Sequence, residues 1–311
     1  MPSTPEKKTA VFLAGFGGPE KKSEIRPFLE SIASTAKIPK ERLVEVELHY
    51  ERVGGKSDFN KITFKQEEAL RRLLKKRGLP LQVFSGFMHS KPSFERIFKE
   101  LKAKGITRAL VFVLSVFRSY PSFERYQEKL VQARVAAEAE GIEFKYASAF
   151  HANPLFIQAV SERVLDAVKK IPQPERSKTY YLFTAHSIPL DWAKKGDYSE
   201  EFQESAFLTA RKLGLQNWGL SYQSRSGPPK YPWLEPDVNE AIRKLPPGEF
   251  TRVVLVPIGF LCDNVEVTYD LDIQAKKTAQ VCGIGYSRAL TVMDHPAFIE
   301  MIADLIKKRS G

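Results

Sequence analysis

Runs of apolar residues alternate along the chain with segments in which apolar residues recur at helical spacing. Seven runs have the length and composition of strands: residues 10–14, 81–86, 109–116, 143–149, 180–185, 218–222 and 252–259. Several are apolar at successive positions, which is typical of strands buried on both faces of a sheet. Apolar spacing predicts helices over residues 92–104, 199–213 and 296–308, and Gly214 is a suitable stop for the second.

This alternation of strands and helices predicts βαβ units in two successive series. The first series covers residues 1–150 and the second residues 151–311, and we expect the last helix to pack back on the first half. The predicted fold class is α/β, with two similar Rossmann-like domains, each a parallel sheet flanked by helices, and a cleft between them. Ligands of such folds bind beyond the carboxyl ends of the strands, so functional residues are expected there.

The composition excludes several classes of protein. The chain has 311 residues, of which 43% are apolar and 27% charged, as in ordinary globular proteins. Its longest apolar stretch, residues 253–262, is interrupted by proline and glycine and is far shorter than the ~18 residues of a spanning helix. The first residues contain no apolar signal core. We therefore expect a cytoplasmic protein without a transmembrane segment.

Cysteine content and net charge narrow the choice further. Two cysteines, Cys262 and Cys282, cannot form a four-cysteine zinc site or a cysteine-ligated iron–sulfur cluster. The net charge of +11 favours anionic ligands without identifying them. Nucleic acid, an anionic membrane surface, a polycarboxylate ligand and a merely solvated basic surface all remain open. The cations form no long basic arm or aromatic-interleaved stripe.

Residues 15–20, GFGGPE, follow the first predicted strand and resemble half of a dinucleotide-binding loop. Glu20 stands where the third glycine should be, and its carboxylate would meet the pyrophosphate, while Pro19 removes an amide donor. We therefore predict no nucleotide site. The glycines provide either close backbone approach to a bulky ligand or a tight turn.

Two of the five histidines directly follow predicted strands. His186 follows residues 180–185 in the sequence TAHSIP, and His89 follows residues 81–86. A neutral imidazole at a strand's carboxyl end can accept a proton near neutral pH or bind a divalent metal. A hydrogen-bonded structural histidine is the alternative at both positions.

An acidic segment follows the predicted strand 252–259. If it is helical, Glu266, Asp270 and Gln274 fall on one face, with Asp263 one turn earlier. Such a face is either a solvated helix N-terminus or a track of oxygen ligands that passes a cation inward or protons outward.

A loop with four prolines, residues 222–236, follows another predicted strand. It presents Arg225, Lys230, Tyr231 and Trp233, which suit a flat, anionic, aromatic ligand. A proline-rich structural crossing is the alternative.

Taken together, these segments resemble the ferrochelatase family, whose members insert ferrous iron into a porphyrin. Five motifs carry the resemblance, in the family's order: residues 13–20 (LAGFGGPE), 49–57 (HYERVGGKS), 184–189 (TAHSIP), 222–238 (YQSRSGPPKYPWLEPDV) and 263–272 (DNVEVTYDLD). The resemblance implies a chelatase-like two-domain fold and a role in haem biosynthesis. Fe2+ would be a substrate, and no cofactor or iron–sulfur cluster would be required.

The resemblance also implies roles for individual residues. His186 matches the pyrrole-proton acceptor or iron ligand, Glu266 its carboxylate partner, and Asp270 the next member of the acidic line. The metal set is therefore His186, Glu266 and Asp270. Porphyrin contacts are implied for seven further residues: Phe16, Tyr50, Ser57, His89, Tyr126, Arg225 and Trp233.

The chain departs from the family pattern at several positions. Asn264 stands where many members have histidine, and Gln274 replaces a third acid. Phe16 occupies the position of a tyrosine that ligates iron in certain bacterial members, and its ring can only pack. The paired arginines that bind propionates in some members are absent near residues 33–36, where Lys37, Lys40 or Arg42 could substitute.

The substrate implied by the resemblance is a porphyrin. Residues 113–130 resemble the coproporphyrin-using branch more than the protoporphyrin-using one, so coproporphyrin III is favoured over protoporphyrin IX. We expect a monomer without a nucleic-acid partner, and peripheral membrane contact is left open. A cobalt or nickel chelatase acting on a corrin or sirohydrochlorin precursor and a non-catalytic haem-binding protein are the alternatives.

Overall fold

The computed structural model describes residues 7–36, 40–227 and 231–310. Its first sheet contains β1 (Thr9–Gly15), β2 (Gln82–Phe87), β3 (Arg108–Val113) and β4 (Glu143–Tyr146), all parallel, in the order β2-β1-β3-β4. Its second sheet contains β5 (Thr179–His186), β6 (Trp218–Gln223), β7 (Arg252–Val256) and β8 (Gly285–Arg288), all parallel, in the order β6-β5-β7-β8. The two sheets therefore share one topology, and the predicted α/β class is confirmed.

Helices connect the strands and cover the sheets. In chain order they are α1 (Lys22–Ala36), α2 (Lys40–Arg52), α3 (Phe59–Lys76), α4 (Phe94–Ala103), α5 (Glu124–Ala136), α6 (Pro154–Lys169), α7 (Leu190–Ala193), α8 (Tyr198–Leu213), α9 (Val238–Arg243), α10 (Val265–Tyr269), α11 (Lys276–Val281) and α12 (Pro296–Ser310). A π-helical segment, Asp270–Ala275, joins α10 to α11, so residues 265–281 form one interrupted helix, here called the acidic helix. Short 3₁₀ turns occupy Tyr120–Ser122 and Gln173–Lys178.

The predicted helices begin and end where local chemistry requires. Ser93 accepts a hydrogen bond from the Arg96 amide at 3.3 Å and starts α4 as its N-cap. Gly214 ends α8 with a φ of 65°, in the left-handed region that glycine adopts without strain. Gly214 therefore ends α8 as the sequence predicts, whereas α4 begins two residues after its predicted start.

The strand predictions differ from the structure in two ways. Strands β3, β4 and β7 each end three residues before the predicted end, because apolar residues such as Leu114 and Ile258 are buried without continuing a strand. Strand β8 is absent from the prediction because its sequence, GYSR, is short, polar and half-buried at the edge of the sheet. Apolar runs thus report burial more directly than strand pairing.

The largest apolar cluster spans both sheets. It includes Leu13 and Phe112 from the first sheet, and Phe183 and Val254 from the second. Helix α12 packs against α3 and β3 as well as against α6, so the last helix contacts both halves of the chain. The division at residues 150 and 151 stays a prediction.

None of the helices in the described ranges has both the length and the apolar character needed to cross a bilayer.

The side chain of Phe298 provides a test of this shared core. Phe298 is fully buried and contacts Phe112, Phe150 and Phe156, with ring centroids 6.2–6.4 Å apart. Replacing a buried phenylalanine by alanine costs the transfer free energy and leaves a cavity, so Phe298→Ala should lower the free energy of unfolding by ~3–5 kcal/mol in denaturant titrations. Phe207→Ala, at a site 48% exposed on α8, is the matched control and should cost about 1 kcal/mol or less. Equal losses in the two variants would contradict this account of the core.

Candidate active site

The second sheet brings two distant parts of the chain together at its carboxyl edge. Strand β5 lies beside both β6 and β7, and the chain leaves it for β6 before crossing back to β7. This topological switch opens a crevice between neighbouring loops. His186 is the last residue of β5, and Glu266 lies on α10, which follows β7.

His186 is oriented by its own backbone neighbours. Its Nδ1 donates a hydrogen bond to the carbonyl oxygen of Ser187 at 2.6 Å, so Nε2 is the nitrogen that gains or loses a proton. Nε2 faces Oε1 of Glu266 at 3.4 Å. The hydroxyl of Tyr198 donates to the His186 carbonyl at 2.8 Å, and the Ser187 hydroxyl donates to the Leu234 carbonyl at 2.9 Å. These bonds hold the turn that presents the imidazole.

The pair is accessible to solvent. The side chain of His186 is 28% exposed and that of Glu266 is 39% exposed, so the two groups face an open space rather than a sealed core. A ligand can therefore reach both without unfolding of the surrounding elements.

Asn264 places Glu266 at the start of its helix. The Asn264 side chain accepts a hydrogen bond from the Val267 amide at 3.0 Å and caps α10. The resemblance led us to expect histidine at position 264. Asparagine at this position acts as the helix cap. Glu266 is further fixed through its carbonyl, which accepts from the Gln223 side chain at 3.0 Å.

The pKa values of the pair are coupled. Burial lowers the pKa of His186, but the charge of Glu266 and its hydrogen bond outweigh burial and raise that pKa above its ordinary value. Burial raises the pKa of Glu266, and the opposing charge of His186 lowers it below its ordinary value. The pair therefore stabilises an imidazolium next to a carboxylate once Nε2 has taken up a proton.

Asp270 lies one turn further along the acidic helix. It is 8% exposed, and its Oδ2 accepts a hydrogen bond from the hydroxyl of Ser224, a residue with φ of 63°. Burial, reinforced by the charge of Glu266, raises the pKa of Asp270 to about 7. This carboxyl group can exchange a proton near neutral pH.

The predicted acidic line ends at Asp270. Gln274 is exposed, so the third position of the predicted face adds no oxygen ligand to the interior. Asp263 and Asp272, the other acids of the segment, both bind Arg288 instead. In the described ranges, no three His, Cys, Asp or Glu side chains lie close enough together to hold a metal ion. The three-residue metal set therefore stays a prediction.

Three of the predicted porphyrin-contacting residues meet around one phenylalanine. Phe28, on α1, has ring contacts with Phe16, Tyr50 and His89 at centroid distances of 6.1–6.4 Å. Phe16 also lies 4.7 Å from the His89 ring, and Nδ1 of His89 is hydrogen-bonded to Ser31 at 2.9 Å. The sequence analysis missed Phe28, because nothing in its local sequence distinguishes it from other apolar residues of a helix.

This aromatic cluster adjoins the acidic helix. Tyr50 packs in one apolar cluster with Val265 and Tyr269. Burial and the nearby Glu266 carboxylate raise the pKa of Tyr50. The two lobes, meaning each sheet with its flanking helices, therefore both contribute side chains around Glu266.

Ser57 and the glycine loop have a structural use. The Ser57 amide donates to the Pro19 carbonyl at 2.7 Å, and its hydroxyl accepts from the Phe59 amide at 3.2 Å. A Cβ on Gly18 would lie 2.7 Å from Ser57, and one on Gly17 only 2.2 Å from the Ser90 hydroxyl. These two glycines thus let Ser57 and Ser90 pack directly against the loop, and the φ of 92° at Gly17 is a turn conformation that favours glycine.

The remaining predicted contact residues lie in different surroundings. Tyr126 is 3% exposed and packs beside Phe94, in the core of the first lobe. The Arg225 guanidinium lies 5.9 Å from the Trp233 ring centre, and the Arg225 carbonyl accepts from Arg42 at 3.0 Å. Lys37, Lys230 and the side chain of Lys40 lie outside the described residues.

Helix α2 holds the acidic helix from the other lobe. The ring of His49 stacks on that of Tyr269 at 3.7 Å with an interplanar angle of 14°. Arg52 donates to the Tyr269 hydroxyl at 3.0 Å. No sequence motif predicts this contact, because it joins side chains from two lobes.

Comparison with known proteins identifies relatives along almost the whole chain. The family model described as Ferrochelatase matches residues 8–310. The ferrochelatase of Rhodopirellula baltica is 38% identical over 305 residues, which cover 97% of this chain and 86% of the relative. The coproporphyrin III ferrochelatase of Mycolicibacterium smegmatis is 36% identical over 300 residues, with 96% and 88% covered.

Solved structures share the fold at low identity. SirB from Bacillus subtilis with Fe3+ has a TM-score of 0.63 at 13% identity and covers 98% of this chain and 96% of its own. The cobalt complex of the sirohydrochlorin chelatase SirB from Bacillus subtilis subspecies spizizenii has a TM-score of 0.58, also at 13% identity, with 97% and 95% covered. This likeness concerns the two-lobed architecture alone.

The stacked histidine makes stability depend on pH. Burial and the neighbouring Arg42 lower the pKa of His49 to about 4; Arg52 also lowers it, and Glu45 opposes them. The unfolded chain takes up this proton near 6.5 and the folded chain does not, so unfolding becomes easier as the pH falls through that window. His49→Phe keeps a ring on Tyr269 without the titration and should lose ~1–2 kcal/mol less between about pH 7 and about pH 5 in urea unfolding.

The range above about pH 7 is the internal control, because His49 is neutral there in both states. Parallel stability curves for the two proteins down to about pH 5 would contradict the assigned cause.

Proposed function

The chain belongs to the ferrochelatase family, and we propose that it inserts Fe2+ into coproporphyrin III in haem biosynthesis. The observation that carries the proposal is the pair formed by His186 and Glu266, with Nε2 and Oε1 3.4 Å apart and accessible to solvent. Insertion replaces two pyrrole protons by one metal ion. The site must therefore accept protons and hold a cation briefly.

His186 is the proton acceptor in this proposal. Its Nδ1 bond to the Ser187 carbonyl directs the basic lone pair of Nε2 into the cleft. The Glu266 carboxylate raises the pKa of the imidazole against the effect of burial, which stabilises the imidazolium formed when a pyrrole proton arrives. Asp270, whose pKa burial and Glu266 raise to about 7, can take a proton onward near neutral pH.

The same groups provide weak ligands for the incoming iron. Imidazole and carboxylate both suit Fe2+, a borderline cation. A preformed cage would retain the metal, and a chelatase must release it into the ring. The described residues present a pair and a nearby third oxygen donor rather than a closed set, which suits a metal that is substrate.

The aromatic cluster on Phe28 supports ring binding. Phe16 and His89 lie in ring contact on the first lobe, both half-buried, while Arg225 and Trp233 lie on a loop of the second. Contacts with both faces of a porphyrin can offset the energy of bending it, which exposes the pyrrole nitrogens to the base.

The net charge of the chain and its sequence similarity to known enzymes favour coproporphyrin III over protoporphyrin IX. Coproporphyrin carries four carboxylates and protoporphyrin two, so a chain with net charge +11 gains more from the former. Relatives named coproporphyrin III ferrochelatase are 33–37% identical to this chain.

We assign no resident cofactor and no nucleic-acid partner, and we place the enzyme in the cytoplasm as a monomer. One chain supplies both lobes around Glu266, and its exposed free Cys282 suits a reducing compartment.

Removal of the proposed base tests the chemistry. His186→Ala should lower anaerobic Fe2+ insertion by ~10²–10⁴-fold, because the pyrrole proton loses its acceptor. Porphyrin binding, measured by fluorescence quenching, should persist because ring contacts are unchanged. His295→Ala is the matched control, since His295 pairs with Glu162 on α6 and not with the acidic helix. Near-normal turnover by a folded His186→Ala protein would refute the proposed function.

Substrate choice is tested by an anaerobic insertion assay with two porphyrins. We expect kcat/KM for coproporphyrin III to exceed that for protoporphyrin IX by about tenfold, equivalent to ~1.4 kcal/mol from the additional carboxylates. Arg225→Gln should reduce this preference and leave protoporphyrin turnover less affected. Preference for protoporphyrin IX, or faster loading of cobalt or nickel into a corrin precursor, would contradict the assignment.

A further inference from the structure

Arg288, at the end of β8, forms a buried network on the acidic helix. Its side chain is 9% exposed. Arg288 donates two parallel hydrogen bonds to Asp272, from Nε to Oδ1 at 2.8 Å and from Nη2 to Oδ2 at 2.7 Å. Its Nη1 donates to Oδ2 of Asp263 at 3.1 Å. Nη1 also donates to the Ala289 carbonyl at 3.2 Å. The bidentate geometry fixes the orientation of Asp272 as well as its distance.

The two aspartates lie on either side of the residues proposed to carry the chemistry. Asp263 directly precedes the N-cap of α10, and Asp272 lies within the π-helical segment. Glu266 and Asp270 lie between them in the chain. The Arg288 guanidinium thus binds both ends of the segment 263–272, which contains Glu266 and Asp270.

The π-helical segment gives this anchoring a geometric consequence. A π turn contains one more residue than an α turn, and each residue of an α-helix turns the chain by ~100°. The C-terminal end of the acidic helix is fixed separately, by the buried Ala279 and by a 2.7 Å hydrogen bond from Thr278 to Asn239. If the π turn relaxed to α geometry, Glu266 would therefore rotate relative to this fixed end.

A second contact from β8 supports the same segment. The hydroxyl of Tyr286 donates to the carbonyl oxygen of Leu271 at 2.7 Å, inside the π segment. Asp263 is itself held, because its Oδ1 accepts from the Thr291 amide at 3.1 Å. Strand β8 and the segment after it thus contact Leu271 and Asp272 in the acidic helix and Asp263 just before it.

Stability alone is a weak reason for this network. Burying Arg288 and Asp263 beside an Asp272 that is 37% exposed costs desolvation energy, and well-packed apolar residues often stabilise a protein as well or better. What a bidentate charged contact provides is a unique geometry. The network lies where geometry matters most, around the residues of the proposed reaction.

We propose that Arg288 is a positioning residue, which keeps the π turn intact and so orients Glu266 and Asp270 toward His186 and the incoming iron. The inference rests on the proposed function, because it concerns the rate of that reaction. Arg288 acts through the two carboxylates it binds.

The test compares Arg288→Met with wild type in steady-state Fe2+ insertion. Loss of a partner that orients ligating groups typically costs ~10–100-fold in activity or metal affinity. We expect kcat to fall and KM for Fe2+ to rise within this range, while KM for porphyrin stays within about twofold of wild type because the aromatic cluster is untouched. Arg288→Lys should recover activity only in part, since one ammonium cannot bridge both aspartates.

The matched control is Arg77→Met. Arg77 also bridges two carboxylates, Asp304 at 2.6 Å and Glu300 at 3.8 Å, but on α12, away from the acidic helix. Both variants are assayed at a temperature where thermal melts show them folded. Arg77→Met should keep wild-type kcat. Combining Arg288→Met with Asp272→Asn should cause little further loss of kcat, because both changes break one contact.

Several results would overturn the proposal. They are an Arg288→Met protein with kcat within about twofold of wild type, an equal loss in Arg77→Met, or a loss confined to KM for porphyrin. Glu266→Gln in the same assay separates this failure from failure of the proposed function. A slow Glu266→Gln with an active Arg288→Met rejects only the positioning role, and an active Glu266→Gln rejects the reaction assignment.

Discussion

The contact between the imidazole of His186 and the carboxylate of Glu266 is the interaction on which the site depends. Burial alone would drive each group toward its neutral form and would make His186 a weaker base. Together they shift in opposite directions, the pKa of His186 upward and that of Glu266 downward, each against the effect of burial. A proton delivered to Nε2 therefore meets a counter-charge 3.4 Å away.

The helix that carries Glu266 is also connected to the first lobe. Helix α2 of the first lobe provides that connection, through the ring of His49 stacked on Tyr269 and through the bond from Arg52 to the Tyr269 hydroxyl. The same helix carries Tyr50, which joins the aromatic cluster centred on Phe28. The groups proposed to bind the ring and those proposed to move its protons are thus joined by one interface.

The acidic helix shows how one segment can combine a rigid support with a reactive face. Asn264 caps its start, and Arg288 binds the acids on either side of Glu266 and Asp270. Asn264 therefore supplies a helix cap at a position where the resemblance led us to expect an imidazole in many members. Of the acids in this segment, Asp270 contacts Ser224 and Asp272 serves the support.

The sequence by itself determined the α/β class, seven of the eight strands in the described residues, the glycine that ends α8, and the family, because periodicity, capping residues and ordered motifs are local properties. It also pointed to His186 and Glu266, since each follows an apolar strand. Only the tertiary structure decided the exposure of Gln274, the part of Phe28 in the aromatic cluster, the stack of His49 on Tyr269 and the network of Arg288. These features depend on which side chains meet across strands and lobes, and no single stretch of sequence records such meetings, because each partner satisfies its own local pattern equally well without the other.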